Sequence, residues 1–196
     1  LLDADGSQFE VVHSGRVVGT VHWPMLGRHN VMNGLAALAA ANAVGVDVAA
    51  VIPALADFVS VKRRLERLGA AQGITVYDDF AHHPTAIRTT LEGLRARVGA
   101  ARILVAMEPR SNSMRLGAHA DEIAPSLQQA DSVVFLHRPE LAWDAGKVTA
   151  ALRGEGATAA DVAGLIALLA TRTRAGDHVV FMSNGGFEGA PRRFLA

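Results

Sequence analysis

The chain has 196 residues, of which 50% are hydrophobic and 19% are charged, a balance typical of a globular protein with a buried core. Its 19 basic and 19 acidic side chains cancel, so the composition gives no sign of a broad surface for nucleic acid or acidic membranes. The absence of cysteine excludes disulfides and thiolate metal sites, and no apolar run reaches the roughly 18 residues of a membrane-spanning helix. These features suit a cytoplasmic protein.

The first part of the chain predicts a β-hairpin followed by two helices. The two strands and two helices are expected, in order, at 9–13, 16–21, 31–44 and 48–58. Pro53 falls within the first turns of the second helix, where proline is tolerated best. The opening residues are typical of the middle of a strand and turn, so we expect the chain to be a piece of a longer protein.

After Ser60, short apolar strands alternate with helical patterns. The predicted strands are 74–78, 102–107, 133–137 and 178–182. The predicted helices are 84–98, 118–129, 146–153 and 161–171. Alternation of this kind is typical of βαβ units. We therefore predict an α/β fold in which 61–196 form a Rossmann-like, doubly wound and mainly parallel sheet, preceded by the remnant of another domain at 1–60.

Asn30 and Asn33 lie three residues apart at a helix start and therefore share one face of the helix. An asparagine amide can both donate to and accept from an adenine edge. The pair is therefore a candidate adenine-binding site. The alternative is that Asn30 caps the helix while Asn33 packs or faces solvent.

A cluster of cations follows the predicted boundary. Four of the six residues from Lys62 to Arg67 are basic, which makes a local positive site in a neutral chain. Arginine is suited to bidentate contact with phosphate, so Arg64 is a candidate phosphate ligand. The alternative is a solvated face on which Glu66 forms a local ion pair of little consequence.

Two acids and two histidines lie at or just after the end of the strand at 74–78: Asp78, Asp79, His82 and His83. Ligands of open parallel sheets bind at the carboxyl ends of the strands, where a carboxylate can accept from ribose hydroxyls. The composition also suits metal or acid–base chemistry, although the side chains of adjacent histidines diverge. Capping of the next helix is the alternative role.

The segment 107–117 follows another strand and combines one acid, two arginines and small hydroxyl and amide groups. Arg110 can clamp a carboxylate and Glu108 can meet an ammonium, so the loop suits a zwitterionic ligand. An ordinary polar loop is the alternative.

Paired glycines, Gly185 and Gly186, follow the last strand and can expose backbone N–H groups to an anion, although a plain turn would have the same sequence. Neither the Gly-x-x-x-x-Gly-Lys-Ser/Thr loop nor the Gly-x-Gly-x-x-Gly fingerprint occurs in the chain. A nucleotide phosphate cradle is therefore missing or supplied elsewhere, and a nicotinamide-dependent oxidoreductase is disfavoured.

Taken together and in this order, the motifs resemble the Mur ligase family of ATP-dependent enzymes that extend the peptide of peptidoglycan precursors. The resemblance rests on 27–37, 64–66, 77–85, 108–112 and 183–187. The last three segments are most similar to the branch of the family that takes a murein tripeptide. The L-alanine-adding branch usually has Gln-Pro-His-Arg where this chain has Glu108-Pro109-Arg110.

The resemblance implies a reaction in which ATP phosphorylates the lactyl carboxylate of UDP-N-acetylmuramate and an amine then displaces phosphate. In the tripeptide branch, that amine belongs to L-alanyl-γ-D-glutamyl-meso-diaminopimelate. ATP and Mg²⁺ are the implied cofactors. The resemblance also implies that residues 1–60 end a central ATP-binding domain and that 61–196 form the C-terminal domain.

The resemblance assigns roles to individual residues. Asn30 and Asn33 would contact adenine. The remainder of the nucleotide would lie near Arg64 at the phosphates, Asp79 at the ribose with Asp78 as the second candidate, and His82. By position, the tripeptide would be held by Arg110, Ser111, Asn112, Asn184, Gly185, Gly186 and Phe187.

The family's phosphate loop, modified lysine, magnesium ligands and UDP-sugar domain have no counterpart in the sequence and are expected upstream of Leu1. We therefore expect the chain alone to be unable to catalyse ligation, and we assign it no catalytic residue and no metal ligand. Two alternatives stay open: the L-alanine-adding sister ligase, and a non-catalytic module that binds a nucleotide or a peptide.

Overall fold

The computed structural model describes residues 1–196, which form eight β-strands and eight α-helices. The chain divides into two compact units. The first contains Leu1–Ser60 and Glu92–Gly99, and the second contains Val61–Leu91 and Ala100–Ala196. None of the helices combines the length and hydrophobicity needed to cross a lipid bilayer.

The first unit is a hairpin packed against helices. Its elements are β1 (Gln8–His13), β2 (Arg16–His22), α1 (Arg28–Ala43), α2 (Val48–Val51) and a 3-10 turn at Ile52–Leu55. Phe9 and Trp23 pack edge to face in its core, with 5.4 Å between ring centroids. Gly34 lies against the Trp23 ring, where a Cβ would come within 2.9 Å of the indole. A close approach of helix and hairpin thus explains a glycine inside α1.

One helix predicted in this unit is wrong in its extent. The segment 48–58 was expected to be a single helix, but α2 ends at Val51 and continues only as the 3-10 turn. Pro53 has no N–H to donate to the preceding turn, so the α-helical ladder cannot continue through it.

The second unit is an α/β sandwich. Its strands are β3 (Glu66–Ala71), β4 (Ile74–Asp79), β5 (Ile103–Met107), β6 (Ser132–Leu136), β7 (Glu155–Ala159) and β8 (His178–Met182). Its helices are α3 (Pro84–Val98, whose C-terminal part belongs to the first unit), α4 (Asn112–Arg115), α5 (Ala120–Ser126), α6 (Ala145–Ala150), α7 (Val162–Arg172) and α8 (Ala190–Leu195). A 3-10 turn at Phe187–Gly189 precedes α8.

The six strands form one sheet in the order β3-β4-β8-β5-β6-β7. Only β3 and β4 are antiparallel, and every other neighbouring pair is parallel. Every residue of β5 and β6 is buried, as expected for strands covered on both faces. The predicted Rossmann-like, mainly parallel fold is therefore confirmed.

Several elements of this unit differ from the prediction. Strands β3 and β7 and helices α4 and α8 were not predicted. The helix expected at 118–129 is shorter, because α5 ends at Ser126, and the one expected at 146–153 ends at Ala150. Both edge strands are rich in glycine and alanine, so their sequences carry little strand signal of their own.

Candidate functional site

Four parallel strands end side by side at one edge of the sheet. The strand pairing places Asp79 of β4 opposite Met182 of β8, Met182 opposite Met107 of β5, and Met107 opposite Phe135 of β6. The loops that follow these strands therefore start along a single line. This edge brings together every candidate site residue predicted in the second unit.

Asp79 closes the loop that follows β4. The carboxylate is 3% exposed, and it accepts from the Leu65 amide at 2.5 Å and from the Ala81 amide at 2.7 Å. Burial raises the pKa of the Asp79 carboxyl, and the two amide hydrogen bonds oppose that rise. Asp79 thus stabilises its own loop in this structure, and its contact with a ribose stays a prediction.

Asp78 is more open to solvent than Asp79. It forms an ion pair with Arg63 at 3.3 Å, and its side chain is 20% exposed. The pKa of Asp78 is raised by burial, and the Arg63 guanidinium opposes that shift. Arg63 also donates to the Ser183 carbonyl, so it joins the loops after β4 and β8.

Arg64 is exposed and forms no ion pair. Its guanidinium lies 5.4 Å from the centre of the Phe80 ring, and the Arg63 guanidinium lies at the same distance. A cation–π contact of this kind orients an arginine without neutralising its charge. Arg64 therefore remains available to an anion, as the proposed phosphate role requires.

His82 and His83 face different partners. His82 Nδ1 lies 2.8 Å from the Phe80 carbonyl oxygen, within the same loop. The His83 ring packs edge to face on His119, with 4.4 Å between centroids. No group of three or more His, Cys, Asp or Glu side chains in the chain is arranged to hold a metal ion.

Glu108 begins the loop after β5 and is 4% exposed. Its Oε2 accepts from the Ser183 hydroxyl at 2.5 Å, and Ser183 Oγ accepts from the Gly185 amide at 2.9 Å. This chain of hydrogen bonds fixes the loop after β8 to the loop after β5. The Ser183 hydroxyl contacts only Oε2, so the second carboxylate oxygen of Glu108, Oε1, is not bonded to that hydroxyl.

Arg110 lies across the backbone of Gly185. A Cβ added at Gly185 would clash with Cδ, Nε and Nη1 of Arg110, so a glycine at this position allows the Arg110 side chain its present conformation. Arg110 is exposed and forms no ion pair. The structure thus brings together two of the predicted tripeptide ligands from different strand ends.

The other predicted tripeptide ligands differ in accessibility. Ser111 caps α4, accepting from the Met114 amide at 3.3 Å, and Asn112 is exposed. Asn184 is partly buried, and its Oδ1 has no hydrogen-bond partner. Phe187 is 2% exposed and packs on Phe181 in the core, so only its backbone could reach a ligand.

A cleft of about 420 Å³ opens beside these loops. Its charged lining consists of three arginines and three glutamates: Glu108, Arg110, Arg115, Arg138, Glu140 and Glu188. Arg138 follows β6, lies 3.6 Å from Glu108 and forms an ion pair with Glu188. Its pKa is raised mainly by the Glu188 hydrogen bond. The cleft therefore presents charges of both signs.

Sequence reasoning missed Arg138 and Glu188. The signal for Arg138 was its position directly after a predicted strand, which is the argument that led to Glu108 and Arg110. Glu188 gave no such signal, because its approach to Arg138 depends on the turn that follows Gly186. A larger hollow of about 600 Å³ lies between α5 and α6, but it contains no predicted site residue.

In the first unit, Asn30 and Asn33 lie in the first two turns of α1. Gly27 is the N-cap residue, so the alternative in which Asn30 caps the helix is wrong. Asn30 Nδ2 instead donates to the Leu26 carbonyl at 2.7 Å, and Asn33 Nδ2 lies 3.4 Å from Asn30 Oδ1. The two amides thus share a face, and their contact with adenine stays a prediction.

Comparison with known proteins identifies relatives of the whole chain. Residues 63–185 match the family described as "Mur ligase, glutamate ligase domain". A UDP-N-acetylmuramate--L-alanyl-gamma-D-glutamyl-meso-2,6-diaminoheptandioate ligase of Escherichia coli (strain K12) is 46% identical over 195 residues, which cover 99% of this chain and 43% of that protein. A UDP-N-acetylmuramate--L-alanine ligase of Gloeothece citriformis is 40% identical over 133 residues, covering 66% of this chain and 27% of that protein.

Among solved structures, a murein peptide ligase of Psychrobacter arcticus 273-4 superposes with a TM-score of 0.72 at 42% identity. The match covers 100% of this chain and 42% of that one. The chain thus spans less than half the length of these relatives. Since the family match includes more than half of its residues, the chain belongs to the Mur ligase family.

Proposed function

We propose that this chain is part of an ATP-dependent ligase that joins UDP-N-acetylmuramate to L-alanyl-γ-D-glutamyl-meso-diaminopimelate, and that its second unit presents the peptide. The observation that carries the proposal is the cleft at the carboxyl edge of the sheet, with its three arginines and three glutamates. The E. coli relative that matches 99% of this chain is named for the same peptide.

The charges of the two candidate amine substrates differ. L-alanine has a single ammonium and a single carboxylate, whereas the tripeptide has two ammonium groups and three carboxylates. Arg110 and Arg115 form no ion pair, so the cleft offers unpaired guanidinium groups as well as the Arg138–Glu188 pair. Such a lining can satisfy several ligand charges at once, because each arginine offers a planar set of donors to a carboxylate. This favours the tripeptide over L-alanine.

Within the cleft, Glu108 is the proposed partner of the ammonium of the incoming peptide. The Ser183 hydroxyl holds one of its oxygens, and the buried position keeps the carboxylate from moving. Arg110, Ser111, Asn112 and the loop 184–187 would bind the remainder of the peptide. The unpartnered Asn184 Oδ1 is an acceptor for a peptide or ammonium N–H.

The loop after β4 is the proposed nucleotide side of the unit. Arg64 would contact phosphate, Asp78 or Asp79 the ribose and His82 the region nearby, whereas the amides of Asn30 and Asn33 would contact adenine. ATP, when bound, supplies the phosphoryl group that activates the lactyl carboxylate.

The test is a product assay with the full-length gene product, ATP and UDP-N-acetylmuramate. The tripeptide and L-alanine are supplied in separate reactions, and the products are identified by mass spectrometry. We expect ligation of the tripeptide, weakened by Arg110→Ala and unaffected by Arg193→Ala, an exposed arginine outside the cleft. A product with L-alanine alone would favour the sister ligase, and no product with either would favour a non-catalytic binding module.

A further inference from the structure

Two neighbouring arginines, Arg63 and Arg64, lie on the ring of Phe80 but differ in what their guanidinium groups bind. Each guanidinium lies 5.4 Å from the centre of that ring. Arg64 is exposed and forms no ion pair. The side chain of Arg63 is 26% exposed and binds two loops: Nε contacts the Asp78 carboxylate at 3.3 Å, and Nη2 donates to the Ser183 carbonyl. The two arginines therefore have different roles.

A strained turn places the Arg63 side chain between these two loops. Arg63 has a φ of 61°, in the left-handed region that non-glycine residues rarely adopt. Two hydrogen bonds of its backbone maintain this turn: the Arg63 amide donates to the Glu66 carboxylate at 2.8 Å, and the Arg63 carbonyl accepts from the Phe80 amide at 2.8 Å. Conformations of this kind persist only where the surrounding structure fixes them. The turn and the Asp78 ion pair together hold the guanidinium in place before a ligand binds.

Ser183 begins the loop that contains several of the predicted peptide ligands, and it is 1% exposed. Its amide donates to the Asp79 carbonyl at 3.1 Å, its hydroxyl donates to Glu108, and its carbonyl accepts from Arg63. The bond from Arg63 is made to the peptide group that joins Ser183 to Asn184. Because a peptide group is planar, holding its oxygen fixes the direction in which the chain enters Asn184.

Asn184 is the residue through which this constraint reaches a ligand. Its side-chain oxygen is buried and has no hydrogen-bond partner, although buried acceptors are nearly always bonded. The next two residues, Gly185 and Gly186, add little rigidity because glycine has wide conformational freedom. The orientation of Asn184 therefore depends strongly on the contacts of Ser183, and Arg63 makes one of them.

We infer that Arg63 is a positioning residue for the peptide substrate, which it does not touch. Through the Ser183 carbonyl it orients Asn184, and through Asp78 it joins that loop to the loop proposed for the nucleotide. A guanidinium suits this double contact because Nε and Nη2 are separate donors in one plane, whereas lysine offers a single point charge. The inference rests on the proposed function, which places the peptide at the loop 184–187.

The test measures kcat and KM for the tripeptide with the full-length gene product, at saturating ATP and UDP-N-acetylmuramate. We expect Arg63→Ala to raise KM for the tripeptide about tenfold, the usual effect of losing one charge-assisted hydrogen bond. Because Arg63 acts on peptide binding, kcat should change less than KM. Arg63→Lys should recover only part of the loss. The matched control, Arg67→Ala, removes the same charge from the same basic cluster at an exposed position, and its KM should stay within about twofold of the wild type.

A double-mutant cycle with Asn184→Ala distinguishes positioning from a general loss of structure. If Arg63 acts through Asn184, adding Arg63→Ala to Asn184→Ala should raise KM by less than about twofold more. Should Arg63→Ala fail to fold, the same cycle is run with Arg63→Lys. Independent effects that multiply in the double variant would overturn the inference, as would a wild-type KM for Arg63→Ala. A wild type that ligates no tripeptide would instead contradict the proposed function.

Discussion

Replacing Asp79 with alanine is expected to destabilise the second unit by about 2–4 kcal/mol, because two amide donors lose their acceptor. The Ala81 amide is buried, so leaving it without an acceptor should cost free energy near the upper end of the usual range of about 1–3 kcal/mol. The Leu65 amide is only partly buried, so a water molecule can replace the lost acceptor and the cost in free energy is smaller. Leu65 also has a φ of 48°, which its bond to Asp79 helps to hold.

Hydrogen exchange resolved by residue in the 196-residue chain measures this loss directly, through the protected amides of β4 and β8. The matched control is Asp78→Ala, which removes a neighbouring carboxylate whose ion pair with Arg63 is partly exposed and worth at most about 1 kcal/mol. If Asp78→Ala destabilises the unit as much as Asp79→Ala does, the carboxylate of Asp79 does not hold this loop.

Three further results are expected. Burial raises the pKa of Asp79 above its ordinary 3.8, so the folded state favours the protonated carboxyl. The contribution of Asp79 to the free energy of unfolding is therefore largest below pH 3.8 and is lost as the pH rises through the folded-state pKa. In urea unfolding, the stability of the wild type should rise relative to that of Asp79→Asn as the pH falls from neutral toward 3.8. Gly185→Ala should displace the flexible Arg110 side chain and weaken tripeptide binding in calorimetry, while stability changes by less than about 0.5 kcal/mol. Phe187→Ala should cost about 3–5 kcal/mol in urea unfolding, as for other buried aromatic residues, and a loss under about 1 kcal/mol would contradict its place in the core.

The central strands were predictable because their own sequences determine them. Strands β5, β6 and β8 are short runs of apolar residues bounded by polar loops, the pattern of strands covered on both faces. The edge strand β7, with the sequence Glu-Gly-Ala-Thr-Ala, has no such pattern. It is a strand because β6 offers it a row of backbone partners, and that neighbour cannot be read from the segment itself.

Strand β3 shows a second limit of sequence analysis. Its first residues, Glu66 and Arg67, were interpreted only as part of a basic cluster. In the structure, the strand pairs with β4 in antiparallel fashion, and this places Arg63 beside Asp78. The cluster at 62–67 therefore has a structural role that its composition did not indicate.

The candidate site was predicted to the extent that it follows strand ends. The residues after β4 and β5 drew attention because ligands of parallel sheets lie at the carboxyl edge, whereas the glycines after β8 were noted for their exposed N–H groups and the individual ligand roles came from the family resemblance. The same rule applied to β6 would have found Arg138. Glu188 could not have been found in this way, because left-handed φ values at two consecutive non-glycine residues place it.

The net charge of zero hides how the charges are distributed at this edge. Three arginines and three glutamates line one cleft, where Glu108 and Glu188 hold Arg138 in position before a ligand arrives. A ligand with charges of both signs can then exchange partners with the Arg138–Glu188 pair and leave neither member without an opposite charge. A ligand with a single charge would separate the pair and leave one member unpaired. Discrimination at this cleft should therefore depend on the number and spacing of the ligand's charges more than on its size.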